Sequence, residues 1–538
     1  MKTLIIKISF LGLMLITVLG CENELEERYN NPEQSSVPSI PGYFTALINN
    51  NRVRPSYYEF RTFLFQHASV YSQTIAFPRG MNTYLQDDKY SGERWRDFYS
   101  VTYNDENKDG TGILAIYRQM EKSFNELPEA EKANNEVFMH AARVFVYDQA
   151  SQMVDMWGDI PFSETGSLIE NSTISNPKFD DAKELYSLFL NELKNEATYF
   201  ATASLSTVAS SGFKKQDIII KGDMPMWRKY ANSIRLRLLM RISFSDESTA
   251  RQQVMEMLGS PGDFPIIDGD NSGSYNPVTK DVLLAQLTTN NKNLNSALFE
   301  IASYYAPDYM LNTVMLPAND PRIPVMFDKF GETVQNKFVP NAEYRAMPVS
   351  FTSEEQTANF RKYSIVDSST FMNNLQLPGI LFTASEGNFL KSEAFERWGG
   401  GDAQVTYETA VRQSVVFYYY LNSLGNGPKA PLEKPTESEI SSFLSKPTIA
   451  YTGTSEQKLA KTWTQKWLHF GFLQSVQAWA EYRRTKYPQL TFPNATRAGY
   501  ERPPSRLTYP SVEQTYNSSY EAVRSKDVRT NKIFWDVR

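Results

Sequence analysis

The sequence predicts a mainly α fold built from paired helices and interrupted by long irregular loops. Three observations carry this. Apolar residues recur at helical spacing in several separate segments. One segment, 384–423, has the form of two helices joined by a glycine turn. The stretches between the periodic segments are rich in Gly, Pro, Asn, Ser and Tyr.

The amino terminus comes first. Lys2 and Lys7 precede an apolar run from Ile8 to Leu19, which is too short to span a bilayer as a mature helix. It reads as a secretory signal over 1–20. Val18-Leu19-Gly20-Cys21 looks like a bacterial lipobox, which makes Cys21 an expected lipid attachment point. The alternative is a plain signal peptide that leaves Cys21 free. Cys21 is the one cysteine of 538 residues, so no disulfide framework exists and packing must hold the fold. Residues 21–41 open with Glu22-Asn23-Glu24-Leu25-Glu26-Glu27 and read as an acidic, solvated tether, serving either as a surface-export signal or as a flexible spacer. No later apolar run approaches the ~20 residues of a spanning helix. The net charge of −6, with signs interspersed, argues against nucleic acid, which needs a basic face.

Residues 42–538 are read as one helical-repeat domain. In 134–156, Phe138, Ala141, Ala142 and Phe145 share one helix face, and Gly158 and Pro161 stop the helix. In 226–243, Trp227, Ala231, Ile234 and Leu238 form the stripe. Arg241 shares its side, whereas Arg228, Arg235 and Arg237 fall off it. The hairpin has a first arm ending at Trp398, a turn at Gly399-Gly400-Gly401, and Asp402 to cap the second arm. In 457–484, Trp463, Trp467 and Phe470 repeat the spacing, and these rings, with Trp479, are expected in the core. No clean 34-residue repeat is present. The irregular stretches are 72–94, 261–295, 303–375, 424–456 and 487–538.

Six segments, in order, resemble one family: "DMWGDIPFSE" (155–164), "WRKYANSIRLRLLMRIS" (227–243), "NDPRIPVMF" (319–327), "EGNFLKSEAFERWGGGDAQVTYETAVRQS" (386–414), "TQKWLHFGFLQSVQAWAEYRRTKYP" (464–488) and "NKIFWD" (531–536). The family is SusD/RagB, the outer-membrane nutrient-binding lipoproteins of Bacteroidetes, and the likeness is to its SusD-like family 2 branch. Lys486 departs from a frequent glycine, and Lys391-Ser392-Glu393-Ala394 replaces a more alanine-rich run. The resemblance implies a tetratricopeptide-like α-superhelix with long loops and a few short strands. It also implies a lipid-anchored, surface-exposed protein that binds an oligosaccharide, or a peptide as in the RagB branch, and passes it to a SusC-like TonB-dependent β-barrel transporter. No catalysis is implied.

Asp155 and Asp159, near Glu164, resemble a glycosidase acid/base pair, but they flank a helix stop, where carboxylates satisfy free backbone N–H groups. "DENKDG" (105–110) is half a calcium loop. Asp105, Asn107 and Asp109 present oxygens, but Ile116 stands where a bidentate Glu is needed, and a turn into the next helix explains the same letters. No cofactor is expected, with calcium as the open alternative. His67, His140 and His469 lie far apart and no catalytic motif is present. With 61 acids a hydrolase stays a remote alternative.

Gripping a sugar takes a flat ring plus Asn, Asp or Arg groups. Three loop segments offer that mix: 76–95 with Phe77, Arg79, Asn82 and Tyr84; 272–279 with Tyr275; and 302–309 with Tyr304 and Tyr305. These seven residues are the candidate ligand contacts. The plain alternative is that each Tyr packs its own loop or meets the transporter.

Overall fold

Side-chain caps punctuate the chain into helices. The computed structural model describes residues 39–76, 82–101, 112–173, 175–271, 275–286, 294–300, 304–425, 431–493 and 497–538. Its main helices are α1 (Ile40–Ile48), α2 (Asp88–Tyr99), α3 (Ile113–Asn125), α4 (Glu129–Trp157), α5 (Ala182–Thr202), α6 (Thr207–Gln216), α7 (Met224–Ile242), α8 (Glu247–Gly259), α9 (Ala384–Trp398), α10 (Ala403–Ser423), α11 (Glu437–Leu444), α12 (Ser455–Phe470) and α13 (Ser475–Thr485). The Asp181, Asp223, Thr383 and Asp402 side chains each accept from backbone N–H groups of the helix that follows, which satisfies donors the first turn leaves open. Thr436 with Glu439, and Thr454 with Gln457, form full capping boxes. Gly158 ends α4 at φ 83° and Gly399 ends α9 at φ 79°, in the left-handed half that glycine tolerates.

The expected hairpin is present, with α10 folded back on α9 through the glycine turn. α5 packs on α7, α4 on α5, and α9 also on α12. Three short antiparallel ladders sit within the irregular stretches. β1 (Val282–Leu284) pairs with β6 (Gly379–Phe382), β2 (Phe327–Asp328) with β5 (Ile365–Val366), and β3 (Gly331–Val334) with β4 (Lys337–Pro340). The β3–β4 turn places Gln335 and Asn336 at φ 49° and 60°, the mirror-image turn that fits strand twist. One hydrophobic cluster runs from Ile40 to Trp535. Phe138, Ala141, Ala142 and Phe145 are buried in it, as are Trp467 and Trp479, and Trp463 is also buried, in keeping with their spacing.

Three sequence expectations change. α1 starts at Ile40, with Ser39 as its cap, so the tether is shorter than read. Segment 457–484 is two helices, because the chain turns at Gly471 (φ 50°), where a β-carbon would meet the Tyr418 hydroxyl at 2.7 Å. Arg235 and Arg237 are as buried as Arg241. Off the apolar stripe, Arg235 is covered by Phe264 and bonds Gln253 of α8 (2.7 Å), whereas Arg237 is met by carboxylates of neighbouring helices. Arg237 bonds Asp148 of α4 at 2.9 Å and Glu386 of α9 at 2.6 Å. Cys21 and residues 1–38 lie outside the described residues.

At the centre lies a buried charge network. Arg241 bonds Glu481 and Gln477. Arg484 bonds both Glu393 (2.6 Å) and Glu481 (2.8 Å), and Lys466 reaches Glu481 at 2.6 Å. Burial acts to raise the Glu393 pKa, but Arg484 and Lys466 outweigh it and hold it at about 2. Because that value lies below the unfolded one, the stability it contributes is present above pH ~4.5 and is lost as pH falls towards 2. Replacing Glu393→Ala strands buried cations. We expect a loss of about 3–5 kcal/mol in urea denaturation at pH 7, with a shallower decline of stability between pH 4.5 and 2 than in wild type.

Candidate functional site

Tyr304 and Tyr305 are fixed beside β5 by backbone bonds. The Val366 N–H donates to the Tyr304 carbonyl (2.7 Å), the Ala306 N–H donates to that of Ser364 (3.0 Å), and Tyr305 bridges Ile365. Their rings stack at 4.7 Å and 26°. Phe299 lies 5.0 Å from Tyr304 and is 53% exposed, and Phe330 meets Tyr304 edge-on at 6.4 Å. The result is an aromatic ledge. Tyr305 is its buried base, while half-buried Tyr304 and Phe299 present its open rings. The Ala76 N–H donates to the Tyr305 carbonyl (3.2 Å), so the segments read as 76–95 and 302–309 meet here. Polar groups lie under the edge. Asp308 accepts from the Val349 N–H at 2.9 Å and from Asn312 at 2.7 Å, and the buried Gln356 Oε1 has no hydrogen-bond partner. The hollow they share with Tyr305 holds about 20 Å³, room for about one water.

The other predicted contacts separate. Asn82 is exposed. Tyr84 is fully buried, 5.9 Å from Phe492 and 6.5 Å from Tyr71, so its ring belongs to the core and not to a ligand face. Its loop is covered from the carboxy-terminal side, where Arg529 donates to its carbonyl. Phe77, Arg79 and the calcium candidates Asp105, Asn107 and Asp109 lie outside the described residues.

Tyr275 lies elsewhere, on a groove of about 1020 Å³ walled by the 261–270 loop, α9 and α10. Its hydroxyl donates to Asp281 (2.6 Å), whose other oxygen accepts from the first N–H of α9 at Ala384 (2.8 Å). Burial pushes the Asp281 carboxyl up to about 7, against the two hydrogen bonds that favour its charge. Sequence reading missed the groove's ion pairs: Lys391 with Asp268 at 2.7 Å, and Lys229 and Lys280 both on Asp270. The partners lie 10, 41 and 123 residues apart, and the two longer separations are beyond the reach of any local pattern.

The acids of "DMWGDIPFSE" are structural. Asp155 accepts from Trp535 Nε1 (2.9 Å) and the Tyr186 hydroxyl, and Asp159 accepts from the first N–H of α5 at Ala182 (2.9 Å) and from Lys526 (2.7 Å). The three histidines serve three separate places. His67 accepts from the Asp87 N–H, His140 pairs with Glu196, and His469 sits between the Thr383 and Ser414 hydroxyls.

A paired-helix platform with loop-borne aromatic surfaces is the architecture of a binding protein. The family model described as "Starch-binding associating with outer membrane" (SusD-like, branch 2) matches residues 44–510, and the chain belongs to this family. Among solved structures, a chitin-binding protein is 21% identical with a TM-score of 0.72, covering 93% of this chain and 100% of its own. A chitin-binding SusD homolog from Flavobacterium johnsoniae is 19% identical with a TM-score of 0.69, covering 93% and 99%. A SusD homolog from Bacteroides fragilis is 20% identical with a TM-score of 0.67, covering 93% and 99%. At these identities the likeness establishes the mainly helical SusD-like fold. No curated protein matches the chain. Among the described residues no helix is long and apolar enough to cross a membrane.

Two measurements separate core from surface here. Tyr84→Ala should cost about 3–5 kcal/mol of stability, read from the urea midpoint, and Tyr304→Ala clearly less. Asp281 binds its proton more tightly folded (about 7) than unfolded (3.8), so its contribution to stability falls as pH rises from 4 to 7. Relative to Asp281→Asn, wild type should lose stability over that range, by about 4 kcal/mol at most. A pH-independent difference would disprove the assignment.

Proposed function

We propose that this chain is a surface lipoprotein, anchored through Cys21, that captures oligosaccharides and hands them to a SusC-like TonB-dependent transporter, with no catalytic step of its own. The observation that carries the reading is the ledge, where Tyr304 stacks on Tyr305 beside exposed Phe299. A sugar's C–H face gains most from flat rings already held in place, and Tyr304 is pinned by the β5 backbone. The family description and the chitin-binding relatives support a glycan as the ligand. Binding requires no metal in this reading.

A second reading, a structural adaptor of the transporter, draws on the β3–β4 hairpin. It continues from Phe330 and leaves Val334, Phe338 and Val339 about half exposed. Apolar side chains on so short a ladder suit contact with a partner protein.

Calorimetric titration separates the two. Wild type is titrated with maltooligosaccharides, chitooligosaccharides and a peptide panel, then compared with Tyr304→Ala and Phe299→Ala. The capture reading expects one glycan series to saturate, and each substitution to weaken it about tenfold, or about 1.4 kcal/mol. Saturation by peptides alone moves the ligand to the peptide class. Silence across both panels leaves the adaptor.

A further inference from the structure

A second pocket lies away from both the ledge and the groove and shares no lining residue with either. It holds about 310 Å³ between the last residue of α2, the chain after α4, and the short carboxy-terminal helix Ser511–Tyr516. Its rim carries Tyr516, 76% exposed, the most exposed aromatic ring among the described large hydrophobic residues. Its wall carries Tyr99, whose hydroxyl oxygen is buried and has no hydrogen-bond partner. A buried hydroxyl without a partner costs free energy unless something else occupies its donor and acceptor sites. Glu513 and Asn517 are held ready between them. Glu513 accepts from Trp95 Nε1 (3.0 Å) and from the Asn517 amide (3.0 Å), and Asn517 also donates to the Pro177 carbonyl (3.4 Å). Asn176 on the facing segment is fixed by Ser518 (3.1 Å).

The lining narrows the ligand class. Among the described residues it contains no Lys or Arg, so none of them neutralises a phosphate or a carboxylate. It mixes amides, a carboxylate and hydroxyls with Pro and Tyr rings, which suits neither an acyl chain nor an anion. The volume lies at the low end of small-molecule sites, about 300 Å³ and upward, enough for one or two pyranose rings.

We propose that this pocket is a second saccharide subsite. A sugar ring lies on Tyr516, its hydroxyls meet Asn517, Asn176 and Glu513, and the Tyr99 hydroxyl finds there the partner the protein does not supply. Burial and the Glu513 charge push the Tyr99 phenol up and keep it protonated, able to donate. The subsite stands independently of the ledge.

The test uses the full mature chain with chitotetraose and maltotetraose as probes, read by saturation-transfer NMR and calorimetry. In the Tyr304→Ala background, which removes the ledge, a saturable signal from at least one tetrasaccharide should persist. Adding Tyr516→Ala should weaken it at least tenfold. Adding Tyr99→Phe, which removes one oxygen and leaves the packing, should weaken it about threefold to tenfold. Tyr516 is open to solvent, so its loss leaves folding intact. The proposal is overturned if no saturable binding persists in the Tyr304→Ala background, or if Tyr516→Ala changes it less than twofold. Binding abolished by Tyr304→Ala alone would defeat the second subsite and leave the ledge standing. Binding that ignores Tyr304→Ala but falls with Tyr516→Ala would do the reverse.

Discussion

Charges taken out of water constrain this fold more tightly than any apolar contact does. Arg241, Arg484 and Lys466 are fully buried, as are Glu393, Glu481 and Asp155. Each such ion loses several kcal/mol of hydration, which only close, well-aligned partners offset. A hydrophobic face tolerates sliding by a fraction of an ångström, whereas a guanidinium shared between two carboxylates does not. Arg484 holds α13 to α9 through Glu393, and Arg241 holds α7 to α13 through Glu481. Arg237 fastens α7 to α4 and to α9. Four helices are thereby fixed in one mutual register.

This network also gives the family's recurring segments a physical meaning. Asp155 in the first bonds Trp535 in the last. Arg241 in the second bonds Glu481 in the fifth, and Glu393 in the fourth bonds Arg484 in the fifth. Arg322 in the third, buried against Asp320, reaches Gln465 in the fifth. What the six share is a polar core assembled from distant parts of the chain. The two proposed ligand surfaces draw mostly on other parts of the chain. Tyr304 and Tyr305 lean on β5, and the Tyr99 pocket on α2 and the carboxy-terminal helix.

Much of the helical framework was legible in the letters because its causes are local. Asp402 caps the helix after three glycines, and the Phe138 stripe and the tryptophans occupy core positions, since an N-terminal donor and a 3.6-residue period act within a few residues. The burial of Arg235 and Arg237 was not legible for the converse reason. Spacing defines a face, but whether that face meets water or another helix depends on where the rest of the chain goes. The same limit divides the tyrosines. Tyr84 and Tyr304 sit in equally polar, Pro- and Gly-broken stretches, yet Phe492 and Arg529, more than 400 residues on, cover the first. Among the described residues no comparable cover closes over the ring of Tyr304, which stays half-buried.

The sequence alone therefore determined the class of fold and the ends of a few helices, through short-range spacing and capping chemistry, while six quoted segments carried the resemblance to the family. Only the tertiary structure decided which rings are exposed and which are core, how the buried ions pair, and that Tyr99, whose buried hydroxyl has no partner, lines a pocket with Tyr516. Those outcomes depend on contacts between residues hundreds of positions apart, and solvent exposure is a property of the assembled surface that no segment of the chain carries by itself.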